Sequence, residues 1–372
     1  MSGNPPLSLY FHIPFCNKKC PYCHFFVLPN KKEYHALLKR GLELELASLK
    51  PILQSYEIVS IYFGGGTPSL FGSAPIGELI DRVYDTCQVA PDCEITLEAN
   101  PEDVTQEMMS AYKETGINRV SLGVQSLVDE SLILIGRDHC ANKASSAIKE
   151  TFQAGIENIS IDLMYDLPRQ SVESFDQTLH SLKSLPISHL SLYNLTIEPH
   201  TPFWKKKNTL ELPSDEDSFA MLKAAVCSLE ALGLKRYEVS AFAKDGFASR
   251  HNTGYWTGRP FFGLGPSAFS YYEGSRKRNV AHLKKYVKAL ETSLSPCDFV
   301  ETLAYPQNVH ERLAIELRLV EGVDLSSFSL PLNTKQKLEK LAKQGYLEKD
   351  EKRCKLTDKG FLFYDSVAVE LI

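Results

Sequence analysis

Several features are missing from this 372-residue chain, and each absence excludes something. No run approaches the about 18 consecutive apolar residues of a membrane span. The N-terminus also lacks a charged stretch followed by an apolar one, so a cytoplasmic protein is expected, with membrane association at most peripheral. Neither sign of charge dominates: 41 Lys and Arg stand against 46 Asp and Glu. That balance offers no general attraction to nucleic acid or an anionic surface. A disulfide framework is missing too, because the nine cysteines are odd in number and six are scattered singly, at Cys87, Cys93, Cys140, Cys227, Cys297 and Cys354. Those six are expected to pack as small hydrophobes. Internal repeats and low-complexity tracts are absent.

What is present is alternation. Strand-like runs occur at Leu9–Ile13, Ile58–Phe63, Glu94–Glu98, Arg119–Val124, Ile159–Leu163 and His189–Tyr193. Helical patterns lie between them, the first placing Leu38, Leu42, Leu46 and Leu49 on one face, and Gly116 and Gly155 sit where helices should end. Strands separated by helices imply parallel βα units with right-handed crossovers. Six such units predict an α/β fold built on a partial (β/α)6 barrel, spanning residues 1–200. Residues 201–304 read as a mixed α+β segment, with "YEVSAFA" as one strand. Residues 305–372 read as a C-terminal winged-helix-like module. In parallel βα folds, functional residues gather where strands end. The cysteine group after strand one, "GGGTP" after strand two, Glu98 ending strand three and "GVQS" after strand four all keep to that end.

The stretch "LYFHIPFCNKKCPYCHFF" carries Cys16, Cys20 and Cys23 within eight residues. Iron–sulfur cubanes normally take one thiolate per iron. Three cysteines leave one iron open, and an open position is how a metal site receives a ligand. A zinc site completed by His12 or His24 is the alternative that short cysteine spacing shares. The glycines of "YFGGGTPS" predict close backbone approach to a ligand, with free amides facing its polar end.

The C-x3-C-x2-C spacing and the glycine-rich strand end together resemble the radical S-adenosylmethionine (SAM) superfamily. With "EANPE", "RVSLGVQS", "GRDH" and "ISIDLMYDLPRQ", the chain resembles coproporphyrinogen III oxidase-like radical SAM proteins over most of its length. The resemblance implies a 4Fe-4S cluster on Cys16, Cys20 and Cys23. It implies SAM in a pocket of Tyr10, Tyr22, Gly65, Gly66, Thr67, Glu98, Gln125, Arg137 and Asp162. Read without it, Glu98 and Asp162 are strand-end carboxylates facing solvent, and Arg137 pairs with Asp138 or a helix end.

Two branches share these motifs. The oxidases carry a fourth cysteine two residues after the triplet and a long N-terminal extension; here Phe25 takes that position and nine residues precede Tyr10. "HNTGYW" instead resembles the H-N-x-x-Y-W signature of HemW-type heme chaperones. That likeness implies heme at His251, Asn252, Tyr255 and Trp256, histidine being a common axial ligand and aromatics good partners for a porphyrin face. The expected partners are heme and an acceptor protein, with a homodimer compatible with the family. The alternative is oxidative decarboxylation of coproporphyrinogen III. Nucleic acid is not expected: Lys335 to Lys359 holds nine basic residues, but five acidic ones are interspersed.

Overall fold

The computed structural model describes residues 3–372. Six parallel strands lie side by side in chain order: β1 (Pro6–Ile13), β2 (Glu57–Gly65), β3 (Gln88–Ala99), β4 (Arg119–Gln125), β5 (Asn158–Tyr165) and β6 (His189–Asn194). Between them run α1 (Lys32–Leu53), α2 (Ser73–Thr86), α3 (Gln106–Glu114), α4 (Ala141–Gln153) and α5 (Val172–Ser181). This is the expected α/β partial barrel. Gly116 and Gly155 follow α3 and α4 with φ of 97° and 83°, a conformation costly for any residue with a Cβ.

Both faces of the strands are buried, yet the two faces differ in chemistry. Leu9, Phe11 and Ile13 of β1, Ile61 and Phe63 of β2, and Leu97 of β3 join the apolar core beneath the helices. Their alternate neighbours point into the barrel and are polar. The register aligns them in rows: Ser8 with Ser60 and Ser60 with Glu94, Thr96 with Arg119, Glu98 with Ser121, and Asp162 with Ser191. A period of two along each strand thus builds an apolar shell around a polar lumen.

Residues beyond β6 continue the same sheet. The stretch "YEVSAFA" forms two strands rather than the expected one, β7 (Lys235–Glu238) and β8 (Ala241–Ala243), paired antiparallel with a register shift. The break falls where Ser240 N–H donates to the Glu238 carboxylate at 3.0 Å. β8 pairs antiparallel with β6. At the opposite edge, β9 (Phe261–Leu264) pairs parallel with β1, and β10 (Phe269–Tyr272), β11 (Ser275–Asn279) and β12 (Cys297–Thr302) extend it to twelve strands. Residues 201–304 therefore supply both flanks of the barrel and share its core through Met221, Leu229, Phe242, Leu264 and Tyr286. Helix α6 (Asp215–Ala231) packs on α5, and "HNTGYW" lies in the short helix α7 (Arg250–Trp256).

The C-terminal module has its own apolar core around Leu313, Leu338, Leu341, Leu356 and Val367. Its helices Gln307–Glu316 and Leu332–Lys343 accompany a three-stranded sheet in the winged-helix pattern. It joins the barrel at β7, where Val320 N–H donates to Tyr237 O and Val239 N–H to Arg318 O, each at 3.0 Å.

Candidate functional site

At the strand ends, the cysteine loop is held at its neck. Phe15–Cys16 pairs parallel with Leu28–Pro29, and Cys23 N–H donates to Cys20 O at 3.1 Å. The glycine-rich end of β2 clamps this loop from below. Gly66 N–H donates to Ile13 O at 2.9 Å and Thr67 N–H to Phe15 O at 2.7 Å. A Cβ on Gly66 would stand 2.6 Å from Phe15 O, so only glycine allows the two segments this close. Gly65 N–H donates to Glu98 Oε2 at 3.0 Å. The expectation of free amides on "GGGTP" is thereby corrected for Gly65, Gly66 and Thr67, whose N–H groups bond the adjoining segment and Glu98.

The remaining mouth residues form one network. Arg137 donates to Cys20 Sγ at 3.5 Å, to Asn100 Oδ1 at 2.8 Å and to Gly123 O at 2.8 Å. Asn100 Nδ2 donates to Thr67 Oγ1 at 2.9 Å, and Thr67 Oγ1 stands 3.6 Å from Cys16 Sγ. Arg137 does not pair with Asp138, which bonds Lys18 instead. Gln125 has φ of 65°, a strained value for a residue with a side chain, and sits at a bulge at the end of β4. Tyr22 packs against Phe203 at 6.3 Å between ring centroids. A cavity of about 230 Å³ opens beside Cys20, Asn100 and Arg137.

Burial sets the protonation of the groups just below. Glu98 is pushed up to about 7 by desolvation, against the Tyr62 hydroxyl that donates to it at 2.8 Å. Asp162 rises to about 6 for the same reason; Ser121 Oγ stands 3.4 Å from its Oδ1. Both carboxylates are half-buried and face the lumen rather than the outer surface. His12 falls to about 4 through burial. Its Nε2 faces Phe26 O at 3.2 Å, so Nε2 carries the hydrogen and Nδ1 accepts from Tyr10 OH at 3.1 Å. Both His12 nitrogens are thus occupied. Among the described residues no three His, Cys, Asp or Glu side chains converge as a single-ion site requires. The donor set fits an iron–sulfur cubane better than zinc: three thiols on one short loop, Arg137 beside one of them, and an adjoining cavity.

His251 lies deeper, on the lumen side of β1 and β2, and is 1% exposed. Ser60 Oγ stands 3.0 Å from its Nδ1 and donates to Ser8 Oγ at 2.8 Å. Nδ1 therefore carries the hydrogen, and Nε2 accepts from Tyr255 OH at 2.8 Å. Burial depresses this imidazole to about 3, with Arg259 and Arg119 opposing its positive form, so it is neutral. Glu94 caps α7, accepting from Arg250 N–H and His251 N–H, each at 3.0 Å. The ring of His251 is 4.9 Å from that of Tyr62 and 6.4 Å from that of Tyr10. Trp256 points the other way, under the Arg318 guanidinium at 4.3 Å. Asn252 serves the helix start, its N–H donating to Ser249 Oγ at 3.2 Å. The structure thus brings His251 and Tyr255 to the lumen and sets Trp256 against the C-terminal module.

Sequence reasoning missed Asn100, Tyr62 and Glu94. Asn100 stood inside "EANPE" and Tyr62 inside "YFGGGTPS", and each alternates in phase with a residue already singled out. Of the scattered cysteines, Cys93 and Cys354 are buried as expected, but Cys140 and Cys227 are exposed, so packing does not account for those two.

Comparison with known proteins agrees with this geometry. Residues 10–182 match the Radical SAM superfamily, and residues 305–363 match the HemN C-terminal domain. Heme chaperone HemW of Bacillus subtilis is 32% identical over 372 residues, 97% of each chain. Heme chaperone HemW of Escherichia coli is 39% identical over 265 residues, 71% of this chain and 70% of that one. The mitochondrial radical S-adenosyl methionine domain-containing protein 1 of Danio rerio is 32% identical over 97% of this chain and 85% of that one. The solved coproporphyrinogen III oxidase HemN of Escherichia coli superposes with a TM-score of 0.85 over 99% of this chain and 90% of that one; at 24% identity this concerns the fold alone. With strand order, cysteine loop and full-length identity in agreement, the chain belongs to the HemW family of radical SAM proteins.

Proposed function

We propose that this protein is a heme chaperone that holds a 4Fe-4S cluster with SAM at the barrel mouth, binds heme through α7, and passes it to an acceptor protein. The observation that carries the reading is the position of "HNTGYW": it sets His251 against Tyr62, which in turn donates to Glu98 of the SAM pocket. When bound, the cluster with SAM supplies one-electron chemistry. The protein's own groups do the rest. Cys16, Cys20 and Cys23 supply thiolates, Arg137 sets a positive charge beside Cys20, and Glu98 and Asp162 offer acceptors to an amino group and hydroxyls.

His251 is neutral, with its Nε2 lone pair aimed at Tyr255 OH. Ligation of heme iron there would require that hydroxyl to turn away. Phe25, 54% exposed, occupies the position of the oxidases' fourth cysteine and offers no ligand. In the basic wing, Lys340 pairs with Glu370 and Lys355 with Glu348. A cytoplasmic setting accords with the free thiols; among the described residues no helix is long and apolar enough to cross a membrane.

The test is anaerobic. Cluster-loaded protein is given reductant, SAM and coproporphyrinogen III, and a parallel sample is titrated with heme. The reading predicts stoichiometric heme binding, transfer to an apoprotein acceptor, and no protoporphyrinogen. Protoporphyrinogen accumulating over many turnovers would overturn it.

A further inference from the structure

Arg119 is the largest fully buried side chain among the described residues, 2% exposed, and it points into the polar lumen between the SAM pocket and the floor at His251. Its Nε has no hydrogen-bond partner. The Glu94 carboxylate stands 3.9 Å away, and its oxygens are already used by the N–H groups of Arg250 and His251, with Ser249 Oγ at 3.4 Å. The strand register places Thr96 directly opposite Arg119, and Thr96 Oγ1 is likewise buried without a partner. Nearby lumen groups are matched, Glu98 to Tyr62 and Gly65, and His189 to Ser160 at 2.8 Å and Tyr237 at 2.9 Å, while Arg137 Nε at the mouth also lacks a partner although its other nitrogens are bonded. Buried polar atoms are almost always paired, and a buried guanidinium without a good partner is costly. Two unpaired donors side by side, facing one lumen, match the two oxygens of a carboxylate, the partner for which the guanidinium fork is shaped.

We propose that Arg119 and Thr96 form a carboxylate subsite in the barrel lumen that receives a propionate arm of the bound porphyrin. The proposal rests on the heme reading above and adds which group of the ligand is recognised. Glu94 links the subsite to the heme helix, since it stands beside Arg119 and caps α7 at His251. A porphyrin ligated at His251 Nε2 thus has a cation within the same lumen for one acidic edge. SAM also carries a carboxylate, so the experiment must separate the two sources.

Cluster-loaded protein is titrated with iron protoporphyrin IX, with its dimethyl ester, and separately with SAM, in the wild type, Arg119→Gln and Thr96→Val. The wild type is expected to favour the free acid over the diester at least tenfold. Arg119→Gln should abolish that preference while leaving diester and SAM affinity unchanged, and Thr96→Val should reduce it a few-fold. If Arg119→Gln does not fold, as judged by circular dichroism, the few-fold reduction in Thr96→Val decides the matter, and an unchanged preference there overturns the subsite. Equal binding of both porphyrins by the wild type, or a preference that survives the substitutions, overturns the subsite and leaves the heme reading standing. Binding of neither porphyrin overturns both. A loss confined to SAM assigns the carboxylate to SAM and overturns the proposal.

Discussion

At the barrel mouth, Cys20, Arg137 and Asn100 line an open cavity beside the cysteine loop. Deeper in the same lumen, beyond the rings of Tyr10 and Tyr62, His251 is enclosed with both ring nitrogens engaged. The two regions are built from the same strands and in the same register, yet one is open and the other is closed. The contrast arises from the segments that cover the two ends of the lumen. Loops at the mouth leave space, whereas α7 is pulled onto the floor by Glu94 and sealed by Tyr255. The mouth offers an open cavity, whereas a ligand at His251 must displace a protein hydrogen bond of roughly 1 kcal/mol net.

Breaking the mouth should give the largest effect. Cys16→Ala leaves two thiolates on the loop, and iron content after anaerobic reconstitution should fall from about four per chain to near background, read by iron analysis. Retention of a full cubane would show that another side chain serves as ligand.

A second test sharpens the contrast through pH. Burial raises Glu98 from 4.5 to about 7 and Asp162 from 3.8 to about 6, so the folded chain holds these protons more tightly than the unfolded chain. The stability this lends is fully present below about pH 4 and is lost as pH rises through 6 to 7. Glu98→Gln removes one such group. Without ligands it should leave the melting temperature little changed at pH 4.5 and raise it at pH 8, by up to about 3 kcal/mol of stability. Equal shifts at both values would place the titration elsewhere. The same variant should weaken SAM binding, since Glu98 is expected to accept from its amino group.

The smallest effect concerns Phe25. Because the side chain is 54% exposed and its ring packs on that of His24, Phe25→Cys should change stability by less than about 0.5 kcal/mol, measured by thermal melting. It should also leave heme binding intact and create no decarboxylase activity. Appearance of that activity would mean that the fourth cysteine alone divides the two branches.

Much of this was legible in the sequence. The six strands announce themselves by apolar, aromatic or β-branched runs separated by helical patterns, and the cysteine triplet and "GGGTP" fall at strand ends because such loops are where parallel barrels place chemistry. The flanks were not legible. β9 pairs with β1 across some 250 residues of chain, and no local pattern encodes so distant a partner. The polar lumen was visible only in part: the alternation Ser8, Tyr10, His12 shows that one face of β1 is polar, but not whether that face meets solvent or a neighbouring strand. For the same reason the enclosure of His251 could not be read from "HNTGYW". It depends on Ser60 and Glu94, which sit far away in sequence and reach it only through the sheet register.

The central claim is that His251 is a heme ligand held closed by Tyr255, and heme titration of two single variants tests it most directly. In cluster-loaded protein followed by the Soret band, His251→Ala should weaken heme binding at least tenfold, whereas Tyr255→Phe, which keeps the ring and removes the hydroxyl on Nε2, should tighten it. Affinity unchanged in both variants would contradict the account and place the heme elsewhere.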